Sequence, residues 1–138
     1  MIVVDEQLLG YGLQGMIARW YRGSVTDLTA LRPRTHILDD AVPQLLRTVR
    51  YPSFVTINVN DFWRRTTPDN HFAILCFSLS HSQARAIPSL LRRLLATDPF
   101  RTRRIRVGKI ARITHERVQY YTTYSWALQT IDWSQQRE

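Results

Sequence analysis

Met1-Ile2-Val3-Val4-Asp5-Glu6 opens the chain as a short, unbroken apolar run that stops at two carboxylates. Such a run reads as a strand buried on both faces, the pattern of a parallel sheet. Two later runs repeat it, Ser53-Phe54-Val55-Thr56-Ile57-Asn58 and Phe72-Ala73-Ile74-Leu75-Cys76-Phe77. Leu9, Leu13, Ile17 and Trp20 share one helix face and predict a helix over residues 7–22. Gly10, Gly12 and Gly15 weaken that helix by about 1 kcal/mol each, or else allow close packing. Gly23 ends it, and residues 25–28 read as a short second strand. Asp39-Asp40 precede Val42, Leu45, Leu46 and Val49, a helix start that tolerates Pro43 in its first turn. Residues 82–96 read as a helix with Leu90, Leu91, Leu94 and Leu95 on its apolar face and Pro88 as a kink or a delayed start. Residues 109–114 and 117–122 form a hairpin pattern around His115-Glu116, with Tyr120 and Tyr121 on opposite faces. The order predicts one α/β domain over residues 1–138. Its mostly parallel central sheet is flanked by helices and ends in a C-terminal β-hairpin. Functional groups on such sheets collect at the carboxyl ends of the strands.

The composition is that of an ordinary globular domain, 44% apolar and 22% charged over 138 residues. The charge is less ordinary. Nineteen basic residues face eleven acids for a net +8, and Lys109 is the only lysine. Residues 85–117 hold ten of the basic residues and two acids, so this stretch carries the whole excess. An arginine-rich half on a neutral body points to an acidic partner, nucleic acid or protein. The single cysteine, Cys76, excludes an intrachain disulfide and a Cys-based metal cluster, and it suits a reducing cytoplasm. A mid-strand position makes it a small buried hydrophobe. No apolar stretch is long enough to span a bilayer, and no secretion signal is read at the N-terminus. The expectation is a cytoplasmic protein with no membrane partner.

The acids are the informative residues. Asp5 and Glu6 follow the first strand, Asp39 and Asp40 open a helix, and Asp61 stands three residues beyond Asn58. A parallel sheet brings these positions to one edge. Clustered carboxylates repel unless a cation neutralises them, and Mg²⁺ or Mn²⁺ prefers such oxygen ligands. Each acid also has a purely structural reading. Asp39 or Asp40 suits a helix cap, Asp61 a turn cap, and Glu6 a solvated first turn. Asp5 has no capping logic of its own, since it ends a wholly apolar strand.

Three segments together are similar to the PIN-like domains of the VapC toxin superfamily. More closely, they resemble the small stand-alone PIN-like proteins often encoded beside an antitoxin. The segments are Ile2-Val3-Val4-Asp5-Glu6-Gln7-Leu8, Asp39-Asp40-Ala41-Val42 with Leu45-Leu46, and Phe54-Val55-Thr56-Ile57-Asn58-Val59-Asn60-Asp61-Phe62. The likeness covers residues 1 to about 80. It implies a metal-dependent endoribonuclease, the toxin of a toxin–antitoxin pair, that hydrolyses RNA phosphodiesters with Mg²⁺ or Mn²⁺. Asp5, Asp39 and Asp61 would be the metal-binding carboxylates and, with Glu6, the catalytic acids. Asp40, Asn58 and Asn60 would support them. The Asp39-Asp40 pair aligns either way, and Asp39 is preferred because Val42 then falls at the expected helical offset. Larger PIN nucleases often carry a further acid beyond the third strand, and here Asn60 stands in that region. The implied partners are RNA and a small antitoxin protein, with a homodimer as one option for assembly.

Arg64 and Arg65 lie just beyond Asp61 and suit a scissile phosphate. Arg101, Arg103 and Arg104 suit the flanking RNA backbone. Tyr120, Tyr121, Tyr124 and Trp126 read first as packing for the terminal hairpin and second as a stacking surface. The four histidines show no metal-ligand spacing, and no phosphate loop or nucleophile elbow is present. The alternative is a non-catalytic PIN-like module that binds RNA or antitoxin through the arginine-rich half. A receiver-like phospho-acceptor domain fits less well, because Lys109 opens a hairpin strand.

Overall fold

A computed structural model describes residues 1–32 and 39–133. Seven strands form one sheet: β1 (Ile2–Val4), β2 (Val25–Asp27), β3 (Ser53–Thr56), β4 (Ala73–Phe77), β5 (Lys109–Ile113), β6 (Arg117–Thr122) and β7 (Gln129–Asp132). Their order is β2-β1-β3-β4-β5-β6-β7. The first five are mutually parallel, and β6 and β7 return antiparallel. The apolar runs are continuous because both sheet faces are covered. On one face Ile2, Val4, Val55, Leu75, Phe77, Ala111 and Ile113 pack with helices α1 (Leu13–Ala18) and α5 (Ile87–Leu95). On the other, Val3, Phe54, Ile74, Cys76 and Ile110 pack with α2 (Leu28–Leu31), α3 (Val42–Leu46) and α4 (Val59–Phe62). A last short helix, α6 (Arg103–Arg106), leads into β5.

The expected α/β class and mostly parallel sheet are present, as is one of the two readings of Pro88, and two details differ. The helix read over residues 7–22 is a 3-10 turn at Glu6–Leu8 and then α1. Gly10 and Gly12 separate the two with φ of 97° and 73°, a left-handed backbone that interrupts a right-handed helix. Gly15 faces open space, so it serves no close contact. Pro88 marks a delayed start, since α5 begins at Ile87 after a 3-10 stretch, His81–Ala86. The C-terminal hairpin is a three-stranded meander. Its third strand, β7, is a sheet edge with only Ile131 half-buried among exposed neighbours, so it carries no apolar alternation to read.

Gly108, at φ 85°, donates to the carbonyls of Asp69 and Phe72, and a Cβ there would stand 2.8 Å from Asn70 Oδ1. Arg64 holds φ 61° just after α4.

Candidate functional site

Going outward from β1, the chain places β2 on one side and then β3 on the other, so the strand order reverses between β1 and β3. Open α/β sheets offer their ligand crevice at such a point, beyond the carboxyl ends of the strands. Asp5 stands there. Its backbone N–H donates to Val55 O at 2.9 Å, and its side chain is only 4% exposed. Thr56, fully buried at the end of β3, donates its hydroxyl to Asp5 Oδ2 at 2.6 Å. The same Thr56 oxygen accepts from the Asn58 backbone N–H at 2.9 Å. Asn58 caps α4: its Oδ1 accepts from Asp61 N at 3.3 Å, and its Nδ2 donates to Asp61 Oδ2 at 2.6 Å. A hydrogen-bonded line thus runs from buried Asp5 through Thr56 and Asn58 to exposed Asp61.

Burial pushes the Asp5 carboxyl above its ordinary range. The Thr56 hydroxyl and the Glu6 and Gln7 peptide groups oppose that rise, and the charge of Glu6 adds to it. Burial and the charge of Asp5 push the Cys76 thiol up as well, so this cysteine is the inert core residue expected.

Two clefts meet at Asp61. One, of about 550 Å³, is lined by Gln7, Asn58, Asn60, Asp61, Ser78 and His81 among others. The second, of about 600 Å³, holds Asp40, Arg47, Asp61 and Arg65. The Tyr11 hydroxyl lies 3.2 Å from His81 Nδ1, and Arg112 Nη2 reaches Ser78 Oγ at 3.4 Å. Thr56, Ser78, His81 and Arg47 were not singled out from the sequence. Thr56 alone leaves a readable trace, a polar residue near the end of a buried strand.

Asp5, Asn58 and Asp61 are therefore brought together at one end of the sheet, with half-buried Glu6 beside Asp5 and Asn60 on the cleft wall. Asp40 lies across the second cleft from that group. The Asp39 side chain lies outside the described residues. Among the described residues, no three His, Cys, Asp or Glu side chains converge as a metal cage. The donor chemistry nonetheless suits a hard cation. Mg²⁺ needs only one or two carboxylates with water, and a cation beside Asp5 would compensate a buried negative charge.

The arginines divide differently from the expectation. Arg65 lines the second cleft, beside Asp61. Arg64 turns away: Nη1 donates to Trp126 O at 2.7 Å, and the guanidinium lies over Tyr121 at 5.0 Å and Trp126 at 5.8 Å. Arg101 and Arg103 line a cleft with Gly23 and Ser24, at the amino ends of β1 and β2, and Arg104 precedes β5 on α6. They are thus at the end of the sheet opposite Asp5 and Asp61, not above them. The cause is topological, because segments that lead into parallel strands gather at the amino ends. Their neighbour Arg106 is 2% exposed.

Among the described residues, no helix is long and apolar enough to cross a membrane. Comparison with known proteins finds no matching family model, no matching curated protein and no matching solved structure.

Proposed function

We propose that this protein is a PIN-like metal-dependent endoribonuclease, acting in the cytoplasm as the toxin of a toxin–antitoxin pair. The observation that supports it is the line Asp5–Thr56–Asn58–Asp61 at the strand-order reversal, opening beside a cleft that carries Arg47 and Arg65. Asp5 and Asp61 would hold the ion, with Asp39 or Asp40 as the third acid. Bound Mg²⁺ or Mn²⁺ would supply charge neutralisation at the phosphodiester and an activated water. Thr56 fixes the orientation of Asp5, and Asn58 fixes that of Asp61. Arg65 and Arg47 supply cations for the RNA backbone on the Asp61 side.

The test is cleavage of RNA with Mg²⁺ or Mn²⁺ by antitoxin-free protein, beside Asp5→Asn and Asp61→Asn. Wild type cuts and both variants lose activity. Thr56→Val, which removes only the orienting hydroxyl, loses about 10–100-fold. Equal cutting by wild type and variants, or no cutting by any, overturns the reading.

A second reading, a non-catalytic module that binds RNA or antitoxin, is favoured by one observation. Arg101 and Arg103 lie at the far end of the sheet from the acids. That reading expects salt-sensitive binding that survives Asp5→Asn and Asp61→Asn.

A further inference from the structure

The cleft at the amino ends of the strands has no role in the nuclease reading. It encloses about 470 Å³ and is lined by Arg22, Arg101, Arg103 and Arg106, with Trp20 and Tyr21 as its aromatic wall. Among the described residues, no carboxylate lines it. Arg101 pairs with Asp98 at 2.9 Å, but Asp98 is 89% exposed and that contact is weak in water. The exposed Arg22 and Arg103 make no ion pair among the described residues.

Arg106 forms the base. Its guanidinium donates to Ser53 Oγ at 3.0 Å, Phe100 O at 2.9 Å, Arg101 O at 3.4 Å and Tyr21 Oη at 3.1 Å. None of these acceptors is charged. Burial draws this guanidinium down from its ordinary value, the mark of a cation taken from water without a counter-charge. Buried charges are ordinarily paired. Here the four acceptors are neutral, so among the described residues no counter-charge faces the group, and it borders the cleft.

The aromatic wall is placed with equal care. A Cβ on Gly23 would come within 2.7 Å of the Tyr21 ring, so glycine is what lets this ring fold back onto its own chain. Tyr21 in turn holds Arg106 and meets Trp20 edge-on, with ring centroids 6.1 Å apart.

We propose that this cleft binds the phosphomonoester of a nucleotide, either free or at the end of an RNA chain. A phosphomonoester carries about −1.5 to −2 charge at pH 7 and three acceptor oxygens, which suits several guanidinium forks at once. The volume falls within the range of about 300–1,000 Å³ usual for small-ligand sites, and the aromatic wall offers the base a face. A carboxylate would satisfy one fork and leave the remaining cations uncompensated.

Isothermal titration at fixed ionic strength tests this with five probes: a nucleoside monophosphate, its nucleoside, an acidic peptide, and one RNA oligomer with phosphorylated or hydroxyl ends. The monophosphate binds, and the nucleoside and peptide do not. Tighter binding of the phosphorylated oligomer than of the hydroxyl-ended one identifies the RNA end as the source; equal binding of the two identifies the free nucleotide. Arg22→Ala and Arg103→Ala remove exposed side chains and leave the fold intact. Each weakens monophosphate binding by about tenfold, the effect of one charge-assisted hydrogen bond. Asp5→Asn leaves this binding unchanged, so the nuclease reading can fail without this one. Failure of the monophosphate to bind, equal response to nucleoside or peptide, or wild-type affinity in the Arg22→Ala, Arg103→Ala double variant overturns the proposal.

Discussion

Tyr121→Phe is the sharpest test of how the C-terminal meander holds the acid-bearing segment. The Tyr121 hydroxyl is fully buried, donates to Thr66 O at 2.9 Å and accepts from the Arg64 backbone N–H at 3.1 Å. It thus pins the turn that follows α4, the helix of Asp61. Burial pushes its pKa up to about 12, so it remains a neutral donor throughout the working pH range. Phenylalanine keeps the ring, which stacks on Trp126 at 4.8 Å and meets Trp63 at 5.3 Å. Only the two hydrogen bonds are lost. A buried group left without its partner costs about 1–3 kcal/mol. Thr66 is nearly buried and takes the middle of that range, whereas exposed Arg64 can recruit water and takes the bottom or less. The sum is about 2 kcal/mol, or about 6 °C in Tm for a chain of this size. Urea and thermal unfolding followed by circular dichroism measure it, and amide exchange at Arg64 should quicken in the same variant. A loss under about 0.5 kcal/mol, the level of an ordinary surface change, refutes the pinning.

Further outcomes follow from other named groups. Asp5 binds its proton more tightly folded than unfolded, so its contribution to stability is complete below its ordinary pKa of 3.8 and is lost as pH rises through the raised value. Asp5→Asn should therefore be more stable than wild type at neutral pH, with the gap closing in acid, as urea midpoints across pH will show; a variant less stable at neutral pH contradicts it. Mg²⁺ or Mn²⁺ should raise the Tm of wild type and leave Asp5→Asn unmoved, because only the charged carboxylate gives the ion a differential hold on the folded state. Asp69 has the opposite sign. Its burial acts upward, but the His71 peptide, Arg47 at 2.7 Å and the His71 ring together hold it below its ordinary value. Asp69→Asn should cost about 1 kcal/mol or less above pH 4, since Arg47 is half exposed, and the cost should fade as acid protonates the wild-type group. Gly108→Ala should cost about 1–3 kcal/mol in urea unfolding, because alanine would strain the backbone at φ 85° and crowd Asn70.

The parallel half of the sheet was legible because burial on both faces writes a uniform apolar run, as in β1, β3 and β4. The meander was only half legible. β6 buries Val118 on one face and Tyr121 on the other, whereas β7 is an edge whose backbone pairing leaves little mark on side-chain choice. At the site, Asp5 was readable as an acid ending a strand. Its tie to Thr56 spans 51 positions and depends on β1 lying beside β3, which no local pattern encodes. The arginines show the same limit. Arg101, Arg103 and Arg106 look alike in a basic run, yet the sheet buries one and carries all three to the end away from the acids.

The place of β1 between β2 and β3 also governs when the protein can form. Ile2 pairs with Val25 on one side and with Ser53 on the other. During synthesis β1 therefore waits about fifty residues for one of its neighbours, and closing that loop costs entropy before any contact repays it. The meander has no such delay, since Lys109 meets Thr122 and Arg117 meets Asp132 within local hairpins. During synthesis the carboxylate of Asp5 stays in water until β3 emerges, and its partner Thr56 arrives on that same strand. Assembly of the Asp5–Thr56 contact and pairing of β1 with β3 are thus one event in folding, whereas the meander pairs through local contacts.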